Sequence, residues 1–206
     1  MSTDPRSWPE GTDQIVLEET DSTMAEAARR ADKATGPTWI AARRQTAARG
    51  RRGRAWAMPD GAFGATLILP LDAPPGEAAL RSFTAALALY DTLSEHLAGE
   101  LLSLKWPNDV LLDGGKVAGI LLEGGSRPGT LLIGIGINVA SAPDPAAVEK
   151  HAVRPVALSA YAPPPADPLD LLTPLAWHFD HHERAMQASG FDPLRRLWLS
   201  RAARLG

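Results

Sequence analysis

The chain has no cysteine, which excludes disulfides, thiolate catalysis and cysteine-ligated metals and suits a reducing compartment. It has no apolar run of the roughly 18 residues that a membrane span needs. Its first residues carry Asp4, Glu10 and Asp13 and no apolar h-region, so they do not read as a signal peptide, and the expected location is cytoplasmic. Internal repeats and low-complexity tails are absent as well. Basic excess is missing: the formal net charge is −3 and the pI about 5.9, which argues against a dedicated nucleic-acid binder. Lysine is scarce, with only Lys33, Lys105, Lys116 and Lys150. What remains is an ordinary globular composition over 206 residues, enough for one large domain or one domain with a small appendage.

Against that acidic background stands the run Arg49-Gly50-Arg51-Arg52-Gly53-Arg54-Ala55-Trp56. Counted from Arg43, six arginines fall within twelve residues. Their mutual repulsion calls for an anionic partner, and the interleaved glycines let the backbone approach that partner closely. Nucleotide phosphates and a nucleic-acid backbone both fit this loop taken alone.

The elements read as follows. Gln14 to Glu19 is a short strand, and Asp21-Ser22-Thr23 opens a helix, with Thr23 and Glu26 as a capping box. Thr38 to Ala42 and Ala65 to Leu71 are strands on either side of the arginine loop. A helix follows Pro74-Pro75-Gly76, with Leu80, Phe83, Leu87 and Tyr90 at helical spacing and Gly99 as its stop. Leu101 to Trp106, Asp109 to Leu112, Lys116 to Glu123 and Thr130 to Val139 are four strands whose Gly-rich turns imply antiparallel pairing. Ser141 to Pro168 reads as loop with a short strand at Val156 to Ser159. Leu169 to Ala188 and Phe191 to Arg204 read as amphipathic helices. This order predicts an α+β fold: one mostly antiparallel or mixed sheet with packed helices, spanning residues 1–206 as a single domain.

Five segments carry candidate chemistry: Asp21-Ser22-Thr23, the stretch Gln45 to Trp56, Lys105-Trp106-Pro107-Asn108-Asp109, Lys116-Val117-Ala118-Gly119-Ile120-Leu121, and Gly134-Ile135-Gly136-Ile137-Asn138. Each is weak alone. In this order and spacing they resemble the catalytic domain of biotin protein ligases, whose fold is that of the class II aminoacyl-tRNA synthetases.

The resemblance implies ATP-dependent biotinylation of a carrier-protein lysine. Biotin's carboxylate attacks the α-phosphate of ATP to give biotinyl-5′-AMP, and a lysine of a biotin carboxyl carrier domain then takes the biotinyl group. An anion attacking a polyanion needs positive charge placed in advance at the meeting point, and Arg51 and Lys116 are the catalytic candidates. The resemblance puts Ser22, Thr23, Gln45, Arg49, Gly50, Arg51, Lys116 and Gly119 on the biotin side. It puts Arg52, Arg54, Trp56, Asn108, Asp109 and Asn138 on the ATP side. Mg²⁺ would arrive with ATP, with Asp109 in reach and no protein cage around it. Gly134 and Gly136, unusual inside a strand, are expected to mark close approach of a ligand. Specific DNA and membranes are not expected partners, and the resemblance leaves room for a homodimer.

Other readings stand beside these. Ser22 and Thr23 also suit a plain helix cap, Trp106 to Asp109 a strand end and turn, and Gly134 to Asn138 a bulged core strand. His178, His181 and His182 share a helix face that suits a metal, or a solvated polar surface. A lipoate- or octanoate-type ligase or transferase shares the fold, but its loop is expected to be Gly-rich with a nearby His and few arginines. A phosphate- or nucleic-acid-binding module is the alternative of a different class. Three departures from the family pattern are visible. Ala48 replaces a usual Gly, at about 1–2 kcal/mol if its backbone is left-handed. Thr66 stands near a usual Asn, and the family's C-terminal SH3-like domain is expected to be absent after Trp198.

Overall fold

A computed structural model describes residues 7–97, 99–144, 146 and 153–203. Strands β1 (Asp13–Thr20), β2 (Thr38–Gln45) and β3 (Phe63–Pro70) precede β4 (Leu102–Lys105), β5 (Asp109–Leu112), β6 (Gly115–Gly124) and β7 (Thr130–Ile137). Helix α1 (Thr23–Arg30) joins β1 to β2, while α2 (Pro75–Ala78) and α3 (Arg81–Ser94) join β3 to β4. Helices α4 (Leu172–Ser189) and α5 (Phe191–Ser200) follow β7. The element order is the one the sequence predicts. The strands form one seven-stranded sheet in the order β1-β2-β3-β7-β6-β5-β4. Only the β1–β2 pair is parallel; the other neighbours run antiparallel. Helix α1 is the crossover that makes the parallel pair possible.

Two expectations need correction here. Val156 to Ser159 is not a strand: Pro155 makes a single bridge to Lys116, and Leu158–Ala160 is a 3₁₀ turn. The α1 cap is Ser22, whose Oγ accepts from the Met24 N–H at 3.2 Å. Glu26 does not reach back in a capping box, because Arg29 and Arg30 engage its carboxylate. Lys150, Arg204 and the middle of the Ser141 to Pro168 loop lie outside the described residues. No helix among the described residues is long and apolar enough to cross a membrane.

The sheet is covered unequally. Trp39, Phe63, Leu67, Ile133 and Ile137 point to one side and meet Leu87, Leu89, Leu175 and Phe179 of α3 and α4 in the main core. Each such side chain contributes about 1.5–3 kcal/mol by leaving water. On the other side α1 covers only Ile40, Ile68 and Leu132, through Met24, Ala27 and Ala31. Among the described residues no other α-helix covers that face, and a cleft of about 790 Å³ opens there.

Candidate functional site

The cleft floor comes from strand register. Gly64 of β3 lies opposite Gly136 of β7, and Gly136 lies opposite Gly119 of β6. Three glycines therefore form a row across three strands, a trough with no side chains. Asp109 of β5 continues the row beyond Gly119. The next row is Thr66, Gly134 and Leu121. Within the protein, Gly134 and Gly136 are points of close approach. A Cβ at Gly136 would come within 2.7 Å of the Trp56 indole, and one at Gly134 within 2.7 Å of the Met24 methyl.

At one end of the trough stands the α1 N-terminus. Thr23 donates to Gln45 Oε1 through its backbone N–H (2.8 Å) and its hydroxyl (3.2 Å). The buried Thr66 hydroxyl donates to Thr23 Oγ1 at 2.9 Å, so this position keeps a polar contact. Asp21 holds the turn from outside, accepting from the Ser22 N–H at 2.7 Å and from both terminal nitrogens of Arg29. The Arg29 hydrogen bond, followed by those from Ser22 and Thr20, holds the Asp21 carboxyl well below the usual carboxylate range.

The arginine loop closes on itself as a small hairpin. Gly50 N–H donates to Arg54 O at 2.7 Å, and Trp56 N–H to Ala48 O at 2.9 Å. Its tip turns at Arg52 and Gly53, both left-handed, with φ of 59° and 70°. Ala48 is not among the residues with positive φ, so the backbone cost expected of an alanine there does not arise. The run also divides. Arg43 pairs with Asp167, Arg44 with Glu19 and Arg49 with Glu123, so three of its charges are met within the chain. Arg51, Arg52 and Arg54 line the cleft.

The far wall is the β4–β5 turn and the start of β6. Asn108 donates to Ile120 O at 2.9 Å and accepts from Arg51 Nη1 at 3.1 Å, which ties the loop to the sheet. Lys116 Nζ lies 2.6 Å from Asp109 Oδ1 and 5.2 Å from the centre of the Trp56 ring. A β-bulge brings Lys116 here: β6 has one residue more than β5 between Ala118 and Lys116. The extra residue, Val117, is fully buried in the main core. Without the bulge, alternation from Gly119 would turn Lys116 to the helix side. Asn138 donates from Nδ2 to Lys116 O and Val156 O, both at 3.2 Å, and its buried Oδ1 has no hydrogen-bond partner. Trp56 Nε1 is likewise buried without one.

All the residues expected on the biotin and ATP sides, from Ser22 to Asn138, line this one cleft. Among the contributors that the motifs did not single out are Met24, which lines the cleft, and Glu123, which reaches it through its pair with Arg49. Alternation from Gly119 through Leu121 places Glu123 on the cleft face, so a signal for it was present. The helix histidines lie elsewhere: His181 is exposed and stacks on Trp177, and the other two are tied to carboxylates. His182 is buried and lies 2.6 Å from Asp91, and His178 lies 2.6 Å from Glu95. Both are seams between α4 and α3.

A family model, biotin/lipoate A/B protein ligase, matches residues 16–139. The chain is 49% identical over 195 residues to the biotin–[acetyl-CoA-carboxylase] ligase of Paracoccus denitrificans, covering 93% of this chain and 81% of that protein. It is 33% identical to the bifunctional ligase/repressor BirA of Bacillus subtilis, covering 93% of this chain and 59% of the relative. Among solved structures, the biotin protein ligase of Aquifex aeolicus in complex with biotin and ATP superposes with a TM-score of 0.78 at 28% identity. That match covers 94% of this chain and 80% of the other. The Leishmania major biotin protein ligase with biotinyl-5-AMP gives 0.75 at 25% identity, covering 94% and 84%. With the family model spanning the strands and loops that build the cleft, the chain belongs to the biotin/lipoate A/B protein ligase family.

Proposed function

We infer that this chain is a biotin protein ligase. It uses ATP to form biotinyl-5′-AMP and transfers the biotinyl group to a lysine of a biotin carboxyl carrier domain, as in acetyl-CoA carboxylase. The observation that carries this reading is the 49% identity to a ligase of that activity across nearly the whole chain. It is supported by the cleft, where an uncharged polar end (Thr23, Gln45, Thr66) is joined to a cationic end (Arg51, Arg52, Arg54, Lys116). A ureido ring with an aliphatic carboxylate suits the first end and its passage to the second, and a triphosphate suits the second.

Each residue then has a task. Thr23 and Gln45 orient the ureido ring, with Ser22 and the Arg49-Gly50-Arg51 backbone beside them. Lys116 and Arg51 hold the biotin carboxylate against the α-phosphate and neutralise the charge that builds as the new P–O bond forms and pyrophosphate leaves. Asp109 keeps the Lys116 ammonium extended over the trough rather than folded back on the sheet. Asn108 plays the same part for Arg51, so it positions a cation on the ATP side. Asn138 anchors the Lys116 backbone and keeps only its Oδ1 for a ligand. Arg52, Arg54 and Trp56 border the nucleotide, and loop closure keeps water from the anhydride.

Mg²⁺ fits the donors present, though only as a passenger of ATP. The described residues hold no group of three or more acidic, histidine or cysteine side chains able to cage a metal. Asp109 and the unpartnered Asn138 Oδ1 supply two hard oxygen donors, and phosphates would supply the rest. When bound, the ion neutralises phosphate charge. The reading places the enzyme in the cytoplasm with its carboxylase acceptor.

The test is biotin-dependent exchange of pyrophosphate into ATP. Exchange with biotin and none with lipoate is the expected outcome. Exchange with lipoate alone would move the chain to the other branch of its family.

A further inference from the structure

Trp106 is an unusual residue at this site. Of the large apolar side chains exposed on the described surface (Val16, Trp106, Trp177, Leu197 and Leu199), it alone lines the cleft, and it is the most exposed, at 59%. It sits in the turn between β4 and β5, at the outer lip. The ring is braced from behind, with Phe83 5.2 Å away and Trp198 6.4 Å away between ring centres. Phe83 in turn packs on Phe191 and Trp198, at 4.9 and 5.4 Å. An aromatic stack that runs from the core and ends in an open indole has the form of an interface hot spot.

The lip around it is cationic. Arg51, Arg52, Arg54 and Lys105 line the cleft, and Asp109, the one carboxylate among the described lining residues, is already paired with Lys116. A lysine entering this field is repelled while charged, so a partner that delivers one must surround it with acidic side chains. The same field favours the neutral amine, the form that can attack.

We propose that the open face of Trp106 is the docking surface for the acceptor protein: a folded domain that offers its lysine on a protruding turn, with an apolar side chain beside it and acidic residues around it. This rests on the ligase reading. The indole receives the apolar neighbour, and the lysine passes over the lip. Its amine nitrogen bonds to the acyl carbon of the mixed anhydride, the acyl C–O bond breaks, AMP leaves with the electron pair, and the amine proton goes to solvent.

The experiment uses Trp106→Ala and Trp106→Phe in the whole chain, with three assays run side by side. These are biotin-dependent pyrophosphate exchange, trapping of the activated biotinyl group by hydroxylamine, and biotinylation of the unmodified carrier domain of an acetyl-CoA carboxylase. For the alanine variant the KM for the carrier domain rises about tenfold or more, the scale of losing an aromatic anchor. Exchange and hydroxylamine trapping fall by a much smaller factor than carrier labelling does, because neither needs a docked protein. The phenylalanine variant keeps a ring on the same stack and falls between; it decides the matter if the alanine variant folds poorly. Carrier labelling by the parent also weakens with added salt more than exchange does. A parallel loss of exchange in the variants would make Trp106 part of the nucleotide or loop machinery and overturn the proposal. Unchanged carrier kinetics would overturn it as well, by seating the acceptor elsewhere. A parent that shows no biotin-dependent exchange would remove the ligase reading itself, and this proposal with it.

Discussion

On the helix side of the sheet, β7 presents Leu131, Ile133, Ile135 and Ile137, all buried against α3, α4 and their neighbours. On the other side the same strand presents Gly134 and Gly136, with Met24 and Trp56 laid over them. One alternation of residues thus builds two opposite environments. The helix side is buried and gains stability from the apolar area it removes from water. The cleft side gives up side-chain volume, and with it packing energy, to hold a trough flanked by cations. Stability should therefore respond to changes on one face and chemistry to changes on the other.

The sharpest test of that division is Lys116→Ala. Its ammonium touches Asp109 and the Trp56 face and packs nothing in the main core. Adenylate formation should fall by about a thousandfold, the scale of removing a positioned charge from a transition state. The melting temperature should stay within a few degrees of the parent by scanning calorimetry. A near-parental rate of adenylate formation would remove Lys116 from the chemistry.

Ile133→Ala is the counterpart. Ile133 is fully buried on the helix side. Its truncation should cost about 3 kcal/mol in a denaturant titration. Below the midpoint, biotin affinity by calorimetry should be unchanged. A cleft emptied of biotin affinity in the folded variant would show the two faces to be coupled.

Acid should act on the helix side through Asp91. Burial works to raise its pKa, but the His182 hydrogen bond and the Arg201 and His182 charges prevail and hold it below the ordinary carboxylate range. A carboxyl so depressed stabilises the fold above its unfolded pKa, near 4, and loses that contribution as pH falls through its lower folded value. Asp91→Asn should thus be less stable than the parent near pH 6, by about 2 kcal/mol. The gap between the two melting temperatures should narrow steadily below about pH 4. A constant gap down to strong acid would exclude this role.

The mildest change is Gly136→Ala on the cleft floor. Its Cβ would lie 2.7 Å from the Trp56 indole, so the ring must lift. Pyrophosphate exchange should drop about tenfold while the melting temperature barely moves, since an indole shifted by an ångström costs orientation more than packing. Equal losses in both would mean that Trp56 is chiefly a packing residue.

Much of this architecture was readable along the chain. The element order followed from hydrophobic period and from turns such as Asp113-Gly114-Gly115, which are local properties. The cleft residues were readable because they sit in contiguous motifs whose composition, Arg/Gly alternation or a lone Lys after a glycine turn, has little use in a core. Val156 to Ser159 misled because a short apolar stretch looks the same whether it pairs as a strand or only touches one. Ser22 and Thr23 exchanged capping roles for a similar reason: either hydroxyl suits a cap, and only the position of Gln45, 22 residues on, assigns Thr23 to a different partner.

The amino-acid sequence by itself determined the strands, the helices and which segments carry charge, because propensity, period and turn chemistry act between near neighbours. Tertiary structure alone decided which of those charges meet. Arg43 and Arg44 are drawn off to Asp167 and Glu19, while Arg51 is bound to Asn108, 57 residues away. The alignment of Gly64, Gly136 and Gly119 into one trough depends on the register of three strands. The bulge at Val117, which turns Lys116 from the core side to Asp109, exists only because β5 and β6 pair out of step. Such pairings are set by which faces must be buried together, and no local stretch of chain contains that information.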